Sequence, residues 1–320
     1  MNQNDIKITV GIPVFNGEKF IRKAIDSVLS QTFSNYTLII SDNGSTDNTS
    51  SICQEYEKKE KRIKYIRHEK NSGGTWNFGF LLEQASTKYF VWLGVDDYWE
   101  PTFLEKNFNI LESNNDVAFS ISKIRPFGEK HEKFLTQEHD SFIKKQNKKI
   151  RLHFRPHSLQ STSSSSYENR VRSLLKNTVM YLLFYAFFRT DVLRNARNNA
   201  GDNRTMFGSQ MPLIALRHGN LHVINEYLIN RYTEGISGRQ NNPINDFLDG
   251  NLTLSDLFLS KSPFIIWCWK YLGKKIFLRN LDYFIKLSFA NTQFTLISFI
   301  RFLINRKNEY PKSNVGHEYE

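Results

Sequence analysis

At 320 residues the chain can form one large domain or two smaller ones, and 40% hydrophobic residues with 14% aromatic exclude global disorder. A formal net charge of +11 calls for a polyanionic neighbour: phosphate groups, nucleic acid or an anionic membrane surface. Two cysteines, Cys53 and Cys268, exclude a disulfide framework and a cysteine metal centre, as a reducing compartment would favour. The opening MNQNDIKITV has no basic stretch followed by an apolar one, so no secretory signal is expected. No run reaches the ~18 apolar residues of a spanning helix, and a cytoplasmic location is expected.

In chain order, KITVGIP (Lys7 to Pro13) is short, apolar and strand-like. GEKFIRKAIDSVLSQ then places Ile21, Ala24, Ile25, Val28 and Leu29 at helical spacing. Tyr36 to Ile40 is a second strand, followed by a helix over Asn48 to Glu60, with Ser45 and Thr46 as cap residues before it. Strands at Ile63 to Arg67, Tyr89 to Leu93 and Val117 to Ile121 alternate with helices at Thr75 to Ala85 and Pro101 to Leu111. Strand–helix alternation with short links predicts an α/β fold with a mainly parallel sheet covered on both faces.

From about Phe127 to Lys176 the periodicity fails. IKKQNKKIRLHFRPH is basic and SLQSTSSSSYENR is serine-rich, and both are expected to be loops. Order returns at MYLLFYAFFR, then a helix from about Gln210 to Gly219, then LHVINEYLINRY as one or two strands. The tail beyond Pro263 mixes bulky apolar and basic residues, as in FIIWCWKYLGKKIFLRNL and FTLISFIRFLINRK.

Ligands of open α/β sheets bind beyond the carboxyl ends of the strands. Those ends carry Pro13-Val14-Phe15-Asn16, Asp42-Asn43-Gly44, His68 to Asn71 and Asp96-Asp97. Adjacent carboxylates on a tight turn suit a hard divalent cation that keeps waters and bridges to phosphates. An EF-hand is excluded, because Gly44 is the third residue from Asp42 and not the sixth. Neither a GxGxxG nor a Walker A sequence is present. Trp76 and Trp92 are expected in the core, and Pro156 between His153 and His157 argues against a helical metal pair.

TVGIPVFNGEKFIRKAIDSVLSQTFSNYTLIISDNGSTDNT, EKNSGGTWNFGF and VWLGVDDYWEPTFLEKN together resemble the nucleotide-sugar-binding half of family 2 glycosyltransferases of the GT-A fold. The likeness covers roughly residues 6 to 122 and resumes at YAFFRTDVL and GSQMPLIALRHGNLHVINEYLINRY. It implies a GT-A domain over 1–250, with a nucleotide-sugar half at 1–122, an acceptor half at 123–250 and a helical extension at 251–320. It also implies that Pro13, Asn16 and Glu18 lie against the nucleotide, that Asp42 reads the base, and that Asn71, Gly74 and Asn77 flank it. Asp96 and Asp97 would hold Mn2+ or Mg2+ on the diphosphate, with Arg231 close to it. The activity implied is inverting transfer from a nucleotide-sugar, a UDP-sugar foremost, to a hydroxyl of a surface glycan or lipid-linked acceptor.

The chain departs from this pattern at Gln210, which stands where an acid is expected as general base; Asp202 is the nearby substitute. The His of an Arg-Xaa-His signature is missing, since Arg231-Tyr232 is followed by Thr233. Two other readings compete: a nucleotide-sugar binder without turnover, suggested by Gln210, and a nucleic-acid binder, suggested by the charge and opposed by the acidic rim. The basic, aromatic tail could lie on the cytoplasmic face of an anionic membrane or pack as a helical subdomain.

Overall fold

A computed structural model describes residues 6–129, 158–178, 180–200, 207–234 and 262–288. The chain divides into two compact units, the first made of 1–138 and 156–235 and the second of 139–155 and 236–320.

The first unit is built on an eight-stranded sheet. Its strands are β1 (Ile8–Val14), β2 (Tyr36–Asp42), β3 (Ile63–Arg67), β4 (Tyr89–Trp92), β5 (Tyr98–Trp99), β6 (Val117–Phe127), β7 (Phe187–Arg189) and β8 (Asn220–Tyr232). Their spatial order is β3-β2-β1-β4-β7-β6-β8-β5. The first four in that order run parallel, with Val14 opposite Asp42 and Asp42 opposite Arg67. β7 is antiparallel to both of its neighbours, β6 and β8 are parallel, and β5 closes the far edge antiparallel to β8. The expected parallel sheet is therefore present, with an antiparallel strand as the seam between its halves.

Burial explains why the first four strands read as continuous apolar runs. Every residue of β1 and β4 is buried, because helices cover both faces. The helices are α1 (Ile21–Leu29), α2 (Thr49–Lys59), α3 (Gly74–Gln84) and α4 (Phe103–Ser113). α1 buries Ile21, Ala24, Ile25 and Val28, the spacing seen in the sequence. After β6 come α5 (Tyr167–Asn177), a 3-10 turn at Met180–Tyr185, α6 (Thr190–Ala200) and α7 (Phe207–Ala215). Trp92 sits in the core as expected, but Trp76 is 42% exposed and stacks on Phe80 at the surface.

Some elements differ from the sequence expectation. β6 runs on to Phe127, six residues past Ile121, because its polar second half pairs with β8 instead of filling a core. The serine-rich stretch ends in a helix, α5, which buries only Val171, Leu174 and Leu175, too thin an apolar stripe to show in a low-complexity background. LHVINEYLINRY is one long strand that irregularities in the pairing bend. FTLISFIRFLINRK, His153, His157 and Asp202 lie outside the described residues.

In the second unit, α8 (Ser262–Leu272), α9 (Lys274–Arg279) and a helical stretch at 281–288 bury Phe264, Cys268, Leu272, Phe277 and Phe284. Gly273, at φ 84°, makes the break between α8 and α9. Ile266, Trp269, Leu278, Leu281 and Ile285 are exposed. Among the described residues no helix is long and apolar enough to cross a membrane.

Candidate active site

The parallel half of the sheet brings the ends of β1, β2, β3 and β4 to one rim. Two groups of side chains stand on it.

The first is a clamp between the loop after β1 and the loop after β2. Asn16 adopts φ 51°, and its Oδ1 accepts from the Thr46 backbone N–H at 2.8 Å. Its own N–H donates to Ser45 Oγ at 2.9 Å, and the Gly17 N–H donates to Thr49 Oγ1 at 2.8 Å. Glu18 completes the reciprocity: its N–H reaches Asp47 Oδ2, and its Oε2 accepts from the backbone and side chain of Asn48. Ser45 and Thr46 therefore tie two loops together and do not cap α2, whose first residue Thr49 donates its N–H to Asp47 Oδ1 at 3.0 Å. Small polar residues fit this role because each short side chain can satisfy a backbone group at once.

Asp42 is wholly buried at the end of β2. Its Oδ1 accepts from the Ser45 N–H at 2.8 Å, its Oδ2 from the Tyr65 hydroxyl at 2.6 Å, and Arg67 Nε lies 4.0 Å away. Next to it, Asn43 Nδ2 donates to Asn71 Oδ1 at 2.8 Å, and Asn43 Oδ1 accepts from the Ser72 N–H. Gly44, at φ 79°, lets the Lys70–Asn71 backbone approach; a Cβ there would stand 3.0 Å from the Lys70 carbonyl carbon. Asn71 and Gly74 are exposed, with open space beside Gly74. Asn77 is buried and holds Ser41, donating from Nδ2 to its carbonyl at 2.9 Å. Pro13 is also buried, opposite Ser41 within the sheet. Of the residues expected along the nucleotide, then, Asn16, Asn71 and Gly74 face solvent, while Pro13, Asp42 and Asn77 support the rim from inside.

The second group is acidic. A turn after β4, closed by the Asp97 N–H donating to the Gly94 carbonyl at 3.0 Å, presents Asp96 and Asp97. Both carboxylates fold back over Gly94: an added Cβ would be 2.7 Å from Asp97 Oδ2 and 3.2 Å from Asp96 Oδ1. Asp97 is 2% exposed. Its Oδ1 accepts from the Tyr232 N–H at 2.8 Å, and its Oδ2 has no hydrogen-bond partner. Burial first, and the neighbouring Asp96 charge second, push the Asp97 carboxyl up to about 7, while burial raises Asp96 as well. Arg231 at the end of β8 opposes both shifts with its positive charge and donates from Nε to the Tyr185 hydroxyl at 3.3 Å.

The two groups meet. A Cβ on Gly17 would be 2.8 Å from Val95 Cγ2, and the Phe20 and Tyr232 rings lie 5.1 Å apart. Divalent-cation binding fits the acidic turn on its own chemistry, since two convergent carboxylates include a buried oxygen without a partner. Among the described residues no third His, Cys, Asp or Glu joins them. A hard cation here would complete its shell from water and phosphate oxygens.

Tyr185, Tyr232 and Gly94 escape the sequence analysis. Tyr185 lies 88 positions from Asp97, at the start of YAFFRTDVL, a stretch that carries the resemblance but no mark of a site residue. Gln210 is buried in α7 with its Oε1 unpartnered.

Comparison with known proteins supplies the remaining observations. The sequence profile described as Glycosyl transferase family 2 matches residues 9–195. The Streptococcus pneumoniae glycosyltransferase GlyA is 36% identical over 115 residues, covering 36% of this chain and 16% of GlyA. TuaG of Bacillus subtilis, a glycosyltransferase named for teichuronic acid biosynthesis, is 35% identical over 115 residues, 36% of this chain and 45% of TuaG. The chain thus spans less than half the length of either relative. Among solved structures, S. aureus TarS 1–349 in complex with UDP-GlcNAc superposes with a TM-score of 0.57 at 17% identity, over 82% of this chain and 66% of that one. The mannosyltransferase PcManGT from Pyrobaculum calidifontis, in complex with GDP-Man and Mn2+, gives 0.56 at 12% identity over 96% and 76%. The fold is accordingly of the GT-A type, and with more than half of its length inside the matched profile the chain belongs to glycosyl transferase family 2.

Proposed function

We propose that the protein transfers a sugar, with inversion, from a nucleoside-diphosphate sugar to a hydroxyl of a surface glycan or lipid-linked acceptor, using Mn2+ or Mg2+. The observation that carries this is the buried Asp97 carboxylate with a free oxygen, paired with Asp96 and facing Arg231 on the rim of a family 2 fold. A cation held by Asp96 and Asp97 would act as a Lewis acid on the departing diphosphate. Arg231 adds a fixed positive charge beside the same oxygens. The nucleotide lies along the other group, against Asn16, Glu18, Asn71 and Gly74, on a rim shaped by Pro13, Asp42 and Asn77. A UDP-sugar is the first donor to test, as TarS in complex with UDP-GlcNAc shares the fold. The general base for the acceptor hydroxyl is a local acid, Asp202 foremost, because the Gln210 amide accepts no proton near neutral pH.

The buried amide of Gln210 favours one other reading, a nucleotide-sugar binder that does not turn over. Both are tested by thermal shift with UDP-, GDP-, dTDP- and CMP-sugars, each with Mn2+ or EDTA, followed by release of free nucleotide in the presence of glycoside acceptors. Transfer predicts a metal-dependent shift for one donor and nucleotide release with an acceptor. A shift without release leaves the binder. No shift with any donor refutes both.

In the second unit, exposed Ile266, Trp269, Leu278, Leu281 and Ile285 alternate with Lys270, Lys274 and Lys286. This favours peripheral contact with an anionic membrane, which would keep a lipid-linked acceptor close.

A further inference from the structure

The 3-10 turn at Met180–Tyr185 is fixed from within: Met180 and Leu183 are buried, and Phe184 stacks on Trp92 with ring centroids 5.0 Å apart. Trp92 is the last residue of β4, four positions before Asp96. This packing delivers the Tyr185 hydroxyl to the acidic turn. There it accepts from Arg231 Nε at 3.3 Å, and it lies close enough to Asp97 for the two side chains to interact. A phenol has one proton to give and lone pairs to receive with, so a phenol that accepts from a guanidinium keeps its proton for a carboxylate. Asp97 has one oxygen on the Tyr232 N–H and the other without a partner.

Building on the cation site proposed above, we infer that Tyr185 is a positioning residue that joins Asp97 to Arg231, orienting the carboxylate toward a divalent cation and the guanidinium toward the diphosphate. Partners of metal-binding side chains set ligand orientation, and their loss typically costs about tenfold to a hundredfold in metal affinity. The link would also couple the two ligands, because one phenol would touch the carboxylate that holds the cation and the guanidinium that faces the diphosphate.

The test is Mn2+ binding by isothermal titration, without donor and again with UDP, in the wild type, Tyr185→Phe and Tyr185→His. Tyr227→Phe, on an exposed tyrosine packed against Lys123 and Arg125, serves as a control. The inference expects Tyr185→Phe to weaken Mn2+ binding about tenfold or more. It also expects less mutual enhancement between Mn2+ and UDP, and a metal-free melting temperature near that of the wild type. Tyr185→His, which keeps a ring N–H donor, should recover part of the loss, and Tyr227→Phe should change nothing. Unaltered Mn2+ affinity in a folded Tyr185→Phe overturns the inference. If the Phe variant does not fold, a folded Tyr185→His that retains Mn2+ affinity supports it, and one that loses that affinity refutes it. A wild type that binds neither Mn2+ nor UDP instead removes the proposed function itself.

Discussion

Asp97 should be a liability to the metal-free protein, and Asp97→Asn measures by how much. The carboxylate is 2% exposed, and one of its oxygens has no hydrogen-bond donor. Its carboxyl is pushed up to about 7 from 3.8 by burial and by Asp96. In the unfolded chain it titrates near 3.9, so between about pH 4 and 7 the folded protein binds a proton that the unfolded one does not. Folding stability therefore falls as pH rises through that window and levels off above it. A rise of about three units at 1.36 kcal/mol each sets a ceiling of roughly 4 kcal/mol. Asparagine carries no charge and its Oδ1 can still accept from the Tyr232 N–H, but its amide hydrogens would stand where the unpartnered oxygen now is, costing about 1–3 kcal/mol. Urea unfolding in EDTA should find the variant no more stable than the wild type at pH 5 and more stable by roughly 1–3 kcal/mol at pH 8. Saturating Mn2+ should then stabilise only the wild type. A wild-type-minus-variant difference that does not change between pH 5 and pH 8 would refute the reasoning.

Three further outcomes are expected. Gly94→Ala puts a methyl group 2.7 Å from Asp97 Oδ2, so metal-dependent donor binding should drop at least tenfold while the fold survives, as read by titration and circular dichroism. Asn77→Ala removes both bonds to Ser41 from a buried site and should lower stability by about 1–3 kcal/mol in urea unfolding, with donor affinity following only as far as the rim loosens. The full chain should sediment with vesicles containing anionic lipid and not with neutral ones, and Trp269→Ala with Ile285→Ala should weaken that binding several-fold at ~0.15 M salt; equal sedimentation with both vesicle types would count against a charge-guided membrane contact.

How far each feature is legible in the sequence depends on how local it is. The parallel half declares itself because strands buried on both faces are uninterrupted apolar runs, and helices such as α1 bury one regular stripe. The acidic pair is visible because both carboxylates are neighbours in the chain. β6 beyond Ile121 is hidden, because its outer half is polar and owes its form to pairing with β8. β5 is a two-residue strand with no periodicity to detect. Ser45 and Thr46 read as a helix start, since the same side chains that cap helices also clamp loops; only the tertiary position of Asn16 distinguishes the two. Tyr185 and the Tyr232 N–H reach Asp97 across 88 and 135 positions, distances over which composition and spacing carry no information.

The turn bearing Asp96 and Asp97 also joins two strands that do not pair with each other. The chain leaves β4, whose partners are β1 and β7, and next pairs at β5, the last strand in the order, against the end of β8. The residues proposed to line the nucleotide all precede this junction. Among the described residues, the segments beyond it bring Tyr185, Arg231 and the Tyr232 backbone N–H to the acidic end. Changes to the later part of the chain must therefore preserve those three groups, as well as β7 and β8 of the shared sheet, if the acidic end is to keep its surroundings. Under the proposed function, a chimera joined after β6 should keep the donor of its first half, provided its second half restores those three groups.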